Sequence, residues 1–212
     1  MIQAKTLILH IGSWKTGTTS IQAFLSRNAE RLRAEGILYP RSTRRSEAGL
    51  DTAHHRLRAV LDEADGRVTR GVAEVLDGIA RELRQSRCET LLLSSETFMG
   101  FRRPETLARY FSADRVIVLA SLRHQAEFLN AMYYTEVCHL KVIDQPMEYL
   151  SGFDRRKLNY LFTLDRWAKI WPNAEMRISL FDRDTPARAF PVQHFLGQIG
   201  LDWELAPEDN VV

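Results

Sequence analysis

Residues 6–20 read TLILHIGSWKTGTTS, and this stretch decides the fold. Its first six residues, Thr6 to Ile11, form a near-continuous apolar run of strand length. Such a run is typical of a central parallel strand that is covered on both faces. We therefore predict a buried strand, then a turn containing Gly12 and Gly17, and a helix that begins near Gly17.

The turn after this strand carries the groups that hold an anion. Gly12 and Gly17 allow the backbone to turn tightly and to approach a ligand. The unpaired N–H groups and the positive dipole end of the following helix face the turn, and Lys15 adds a point charge. Four hydroxyl side chains supply further donors: Thr16, Thr18, Thr19 and Ser20. Together these features predict an anion cradle.

The order of residues in this turn differs from that of the Walker A loop. In Walker A the lysine stands directly after the second glycine and directly before Ser or Thr. Here Lys15 precedes Gly17 instead. The sequence therefore does not predict the magnesium arrangement of an NTPase.

Apolar runs and helical periodicities alternate along the rest of the chain. The sequence predicts further strands at 37–39, 90–95, 116–120 and 176–181. It predicts helices from the turn to Gly36 and at 55–63, 68–85, 125–138, 157–171 and 190–199. Strands alternating with helices indicate an α/β fold, a three-layer α/β/α domain with a mainly parallel central sheet.

Ligands of such sheets bind outside the carboxyl ends of the strands. The functional residues are therefore expected after Ile11, after Ser94 and after Ala120. Glu96 follows the second of these strand ends, and Arg123 follows the third.

Composition limits the class of protein. The 212 residues suffice for one domain, and 45% hydrophobic and 26% charged residues are ordinary for a globular protein. A net charge of +2 argues against a bulk nucleic-acid binder. Cys88 and Cys138 have no metal-site spacing and are expected to be free thiols. No run approaches the length of a membrane span, so a soluble cytoplasmic protein is expected.

The motif Gly-x-x-Lys-Thr-Gly-Thr-Thr resembles the 5′-phosphosulfate-binding loop of sulfotransferases. With its flanks and the later Gly36-Ile-Leu-Tyr-Pro40, it is similar to the opening of bacterial sulfotransferase-like proteins. The resemblance implies a P-loop NTPase-like sulfotransferase fold in a single domain, residues 1–212. Because relatives often continue beyond a similar Asn-containing segment, a missing C-terminal segment stays open.

The same resemblance implies an activity. A sulfuryl group would pass from 3′-phosphoadenosine 5′-phosphosulfate (PAPS) to an acceptor hydroxyl or amine, with a glycan among the candidate acceptors and without a metal. The 5′-phosphosulfate would be held by Gly12, Lys15, Thr16, Gly17, Thr18, Thr19 and Ser20. Lys15 would also neutralise the bridging oxygen during transfer.

Arg123 is the match for the family's 3′-phosphate arginine, because a guanidinium holds a phosphate through two bonds. The family's serine on the next helix is replaced by Ala131, and Asn130 or Ser121 is expected to substitute for it. An ordinary ion pair is the alternative role for Arg123.

Transfer to a hydroxyl requires a group that accepts its proton. Glu96 is the first candidate for this general base, and a helix cap or ion pair is its alternative role. The alternative general base is a histidine of the pair His54-His55, and of these two we select His55.

Two other functions stay open from the sequence. One is an ATP-dependent P-loop kinase, and the other is a non-catalytic nucleotide-binding protein. A group of arginines is either a solvated face or the border of a cleft for an anionic acceptor: Arg41, Arg44, Arg45, Arg56 and Arg58.

Overall fold

The computed structural model describes residues 1–46, 49–139, 145–182, 184–206 and 209. The terminal segment from which a missing extension was inferred lies mostly outside these residues. Seven strands are present in the described part: β1 (Ile2–His10), β2 (Ile37–Leu38), β3 (Arg45–Ser46), β4 (Gly49–Leu50), β5 (Thr90–Ser94), β6 (Phe111–Leu122) and β7 (Glu175–Leu180). Five form one sheet in the order β2-β5-β1-β6-β7. Every pairing within it is parallel.

Helices alternate with these strands. They are α1 (Thr18–Arg27), α2 (Ala29–Ala34), α3 (His55–Ala64), α4 (Arg70–Ser86), α5 (Leu107–Tyr110), α6 (Gln125–His139), α7 (Pro146–Gly152), α8 (Tyr160–Ile170), α9 (Pro186–Ala189) and α10 (Pro191–Gln198). Short 3₁₀ turns cover Ser42–Arg44, Glu96–Gly100, Pro104–Thr106 and Arg155–Leu158.

The sheet is covered on both faces, which explains the apolar run in β1. Successive side chains of a strand point to opposite faces. Leu7 and Leu9 pack with α3, α4 and α8 on one side. Ile8 packs on the other side with α1 and α10. The α/β class and the three layers predicted from the sequence are confirmed.

Several element boundaries differ from the sequence prediction. Both β1 and β6 begin earlier, and Ile2 pairs with Phe111. Polar residues alternate with apolar ones there, so this part lacked the apolar run used to find the strands. The helix after the turn is broken at Asn28, whose side chain donates a hydrogen bond to the carbonyl of Phe24 at 3.0 Å. This local bond competes with helix continuation.

Cys88 is buried, Cys138 is exposed, and both are free thiols as expected. Within the described ranges, no helix combines the length and the apolar character needed to cross a membrane.

Candidate functional site

Three adjacent strand ends meet at one cavity. Strands β5, β1 and β6 are neighbours in the sheet, so the residues that follow them lie side by side. A cavity of about 450 Å³ opens between these ends and the start of α1. Its lining comprises Trp14, Lys15, Gly17, Thr18, Thr19, Ser20, Glu96, Arg123, Phe181 and Arg188. The cavity joins all three positions at which function was expected.

The turn after β1 has a constrained backbone. Lys15 and Gly17 have φ angles of 65° and 73°, in the left-handed region. The hydroxyl of Thr16 donates to the carbonyl of Ser13 at 2.6 Å, inside the turn. Ser13 in turn donates its N–H to the carbonyl of Ser121 at 3.0 Å, which continues the pairing with β6. The turn is therefore anchored to the sheet before it reaches α1.

Helix α1 begins without a side-chain cap. Gly17 occupies the cap position, and it has no side chain that could accept from the first N–H groups. These groups, at Thr18 to Ser20, adjoin the cavity, and an anion is their natural partner. Lys15 is exposed, and no described carboxylate lies within 4.0 Å of its ammonium group. Helix start and lysine thus favour negative charge at the same place.

Position 12 requires a glycine because a side chain there would not fit. A Cβ atom there would lie 2.8 Å from Nε2 of His10 and 2.8 Å from Cγ2 of Thr18. His10 is buried, and its Nδ1 is 2.8 Å from the Ser94 hydroxyl. Burial lowers the pKa of His10 to about 4, so the ring is neutral near pH 7. The buried imidazole thus packs against Gly12 and leaves no room for a side chain at that position.

Glu96 lies at the start of the 3₁₀ turn after β5, and its two oxygens have different neighbours. Nε2 of Gln22 donates to Oε2 at 2.8 Å. Nε2 of His55 lies 3.6 Å from Oε1. The other ring nitrogen of His55 is 2.7 Å from the Ser95 hydroxyl. Both candidates for the general base are therefore held in one cluster beside the cavity, although His55 is not part of its lining.

His54 and His55 differ completely in environment. His54 is fully buried. Its Nδ1 accepts from the N–H of Ser94 at 2.9 Å, so its Nε2 donates to the carbonyl of Pro40 at 3.1 Å. Burial is the main cause that lowers the pKa of His54 to about 3. His54 is thus a neutral side chain that joins two backbone segments.

Arg123 is anchored in a cluster at the far side of the cavity. Its Nη1 donates to the carbonyl of Lys15 at 3.1 Å, and its Nη2 lies 3.0 Å from Oε2 of Glu127. Arg188, from α9, reaches the same carboxylate oxygen at 3.5 Å. The two guanidinium groups lie 5.8 and 5.9 Å from the ring centre of Phe181. In this structure Arg123 therefore makes the ion pair that was its alternative role, while it also lines the cavity.

The structure places some predicted residues away from the cavity surface. Gly12 and Thr16 are buried in the turn, and Asn130 is exposed on α6 outside the cavity lining. Sequence reasoning missed Gln22 and Arg188. Gln22 is only 3% exposed, and a polar residue on the apolar face of α1 was the available signal. No sequence signal pointed to Arg188, because α9 is too short for its periodicity to show which way this side chain faces.

The arginines that the sequence suggested as a single face lie in different environments. Arg44 is buried, whereas Arg56 and Arg58 pair with Glu74 and Asp62 at 4.0 and 2.6 Å. The side chain of Arg45 lies outside the described part. No group of metal-binding side chains occurs among the residues that the structure describes.

Two solved structures resemble this chain in fold. The crystal structure of a sulfotransferase from Alicyclobacillus acidocaldarius matches with a TM-score of 0.55 at 14% sequence identity, over 99% of this chain and 89% of that one. A sulfotransferase domain from the curacin biosynthetic pathway matches with a TM-score of 0.50 at 11% identity, over 98% and 77% of the two chains. No family model and no curated protein matches the sequence. The chain has a sulfotransferase-like fold, as the motif after β1 predicted.

Proposed function

We propose that the protein is a sulfotransferase that transfers a sulfuryl group from PAPS to the hydroxyl or amine of an acceptor. The observation that carries this proposal is the cavity in which Lys15, Glu96 and Arg123 line one space at the start of α1. Its volume, about 450 Å³, lies in the range of small-molecule sites. The sulfotransferase-like fold supports it.

The reaction is a single displacement at sulfur. The acceptor oxygen or nitrogen forms a bond to sulfur while the bond from sulfur to the bridging phosphate oxygen breaks. The acceptor loses a proton, and adenosine 3′,5′-bisphosphate leaves with the bonding electron pair. Positioning and stabilisation of charge are the main tasks of a protein in such transfers.

The turn after β1 fits the 5′-phosphosulfate. The uncapped N–H groups of α1 and the hydroxyl of Thr19 supply donors at the cavity. Lys15 stabilises the negative charge that grows on the leaving phosphate. Because Lys15 and Gly17 are already held in left-handed conformations, the donors need little rearrangement when the ligand binds.

Glu96 accepts the acceptor proton in this proposal. Its Oε2 is held by Gln22, which leaves Oε1 on the side of His55. Gln22 therefore acts as a positioning residue, because it fixes the carboxylate without touching the substrate. His55 stabilises the cluster by its contacts with Glu96 and Ser95.

Arg123 and Arg188 bind the 3′-phosphate. They flank Phe181 and share the carboxylate of Glu127. A phosphate carries more charge than that carboxylate and offers more acceptor oxygens, so it can bind both guanidinium groups. A second arginine compensates for the alanine at position 131, where the resembled family has a serine.

Donor turnover tests this function. The protein is incubated with PAPS and a panel of hydroxyl and amine acceptors, and release of adenosine 3′,5′-bisphosphate is measured by chromatography. We expect acceptor-dependent release that falls about 1,000-fold in Glu96→Gln, while the bisphosphate still binds. Glu105→Gln, at an exposed position away from the cavity, is the control.

Two results would reject the proposal. Binding of the bisphosphate with no acceptor-dependent release would favour a nucleotide-binding protein without activity. Consumption of ATP in place of PAPS would favour the kinase.

A further inference from the structure

A second cavity lies at the opposite end of α1. Its volume is about 400 Å³, and it shares no lining residue with the first cavity. The charged side chains that line it are Arg27, Arg33, Arg41, Arg44, Glu30 and Glu82. These four arginines outnumber the two glutamates, and Asp209 pairs with Arg27 at 3.1 Å, so the cavity keeps a smaller net positive charge that attracts anions.

Arg44 is the buried member of this set, with 3% of its surface exposed. Its guanidinium donates to the carbonyl of Pro40 at 3.1 Å, to the hydroxyl of Ser26 and to the carbonyl of Asp51 at 3.4 Å. It lies 4.8 Å from the ring centre of Tyr39. Within the described ranges, no carboxylate lies within 4.0 Å of it. Its described hydrogen-bond partners are neutral oxygens, and the carboxylates of Glu82 and Asp51 act on it only from a longer distance. An anion in direct contact would therefore stabilise the buried charge further.

The two glutamates of the cavity offset part of its positive charge, but neither makes an ion pair with Arg41 or Arg44 among the described residues. Both carboxylate oxygens of Glu82 accept backbone N–H groups, from Arg41 and Ser42, each at 2.7 Å. The side chain of Glu30 is 85% exposed and lies 3.6 Å from Arg33, where water screens the pair. No described carboxylate lies within 4.0 Å of the guanidinium group of Arg41 or Arg44, so both groups can contact an anion directly.

We propose that this cavity is a second binding site, for a sulfate or phosphate group, with Arg44 at its floor and Arg41 at its exposed rim. The planar guanidinium donors match the oxygens of such a group. The group is either a free inorganic anion or an ester on a carbohydrate. This inference does not depend on the proposed transfer activity, because the two cavities are separate.

Titration followed by amide NMR tests the site. Labelled protein is titrated with sodium sulfate, and then with sodium chloride at the same ionic strength. We expect sulfate to shift amides near Ser26 and Arg41 to Arg44 in a saturable manner, beyond the effect of chloride. Arg41→Ala, at an exposed position that leaves the fold intact, should weaken this binding about tenfold. Arg84→Ala removes the same charge from an exposed position on α4 and should leave it unchanged.

Arg44→Lys extends the test because it keeps the charge and removes the planar donor fork. Its affinity for sulfate should also fall, with folding checked by circular dichroism. Should Arg44→Lys not fold, Arg41→Ala decides the question alone. Shifts confined to residues 12–20, equal shifts with chloride, or equal losses in Arg41→Ala and Arg84→Ala would each overturn the proposal.

A further arm identifies the source of the anion. A sulfated disaccharide and its unsulfated parent are titrated in the same way. Tighter binding of the sulfated sugar than of free sulfate assigns the site to an ester on a carbohydrate, whereas equal affinities assign it to the free anion. Titration with adenosine 3′,5′-bisphosphate, which should shift residues 12–20, tests the first cavity separately.

Discussion

Two loops leave the same edge of the sheet and use their polar residues in opposite ways. The loop after β1, residues 11–17, presents Lys15 and the start of α1 to a cavity. The loop after β2 instead buries Arg44 and His54 and bonds them to backbone carbonyls of the protein. Free donors of the first loop thus face the first cavity, whereas Arg44 and His54 of the second loop are bonded within the protein, Arg44 while it also lines the second cavity.

This difference arises from backbone geometry. The first loop is short and is held by left-handed residues. It uses the Thr16 hydroxyl internally but leaves Lys15 and the first N–H groups of α1 at the cavity. The second loop is longer and folds back on itself, and the N–H of Asp51 donates to the carbonyl of Arg44 at 2.6 Å. Mutations in the two loops should therefore separate nucleotide binding from stability.

The largest expected effect is that of Lys15→Ala on binding. Loss of a charged donor to phosphate should weaken binding of adenosine 3′,5′-bisphosphate about 100-fold, as measured by calorimetry. The melting temperature of the ligand-free protein should stay within about 2 °C of the wild type. Lys169→Ala, on the exposed side of α8, is the matched control. A large loss of stability in Lys15→Ala would remove the distinction between the loops.

His54→Leu should have the reverse effect. It leaves the N–H of Ser94 and the carbonyl of Pro40 without their partner. The free energy of unfolding should fall by about 2 kcal/mol in a urea titration, with nucleotide affinity nearly unchanged. The neighbouring His55→Leu, at a half-buried position, should cost less than about 1 kcal/mol. Equal losses in the two variants would refute the structural role given to His54.

Gly12→Ala tests the same comparison with a substitution in the first loop. The new Cβ atom must displace His10 or Thr18, so both stability and nucleotide binding should decrease, stability by about 1–2 kcal/mol. Gly197→Ala is the matched control, because nothing lies within 4 Å of the added atom in α10. That change should stabilise the protein slightly, since alanine favours helix. Unchanged melting of Gly12→Ala would contradict the tight contact.

The smallest effect near neutral pH concerns the buried histidines. The pKa values of His54 and His10 in the folded protein, about 3 and about 4, lie below the ordinary value of 6.5. Below about pH 6.5 the unfolded state therefore binds protons that the folded state does not. Stability should be complete above that pH and decline as the pH falls toward 4. In His54→Leu this decline should be shallower in urea titrations at pH 7, 6 and 5, and an identical slope would contradict the assignment.

Much of the first site could be predicted because its signals are local. A strand, a turn and a helix start succeed one another within residues 6–20, and parallel strands deliver Glu96 and Arg123 to the same edge. The contact of Gln22 with Glu96 spans 74 positions, so no local pattern could reveal it. His54 and His55 are adjacent in the sequence, and only packing against β5 separates their roles. The sequence likewise placed Arg44 only in a loop, and its position over the ring of Tyr39 depends on the folded chain.

One comparison of ligands tests the central claim that the turn after β1 holds the phosphate of a PAPS-type nucleotide. Calorimetry of the wild-type protein with adenosine 3′,5′-bisphosphate, and separately with ATP and magnesium, measures the preference directly. The account predicts that the bisphosphate binds at least about tenfold more tightly and that Lys15→Ala weakens this binding about 100-fold. No binding of the bisphosphate, or tighter binding of ATP with magnesium, would contradict it.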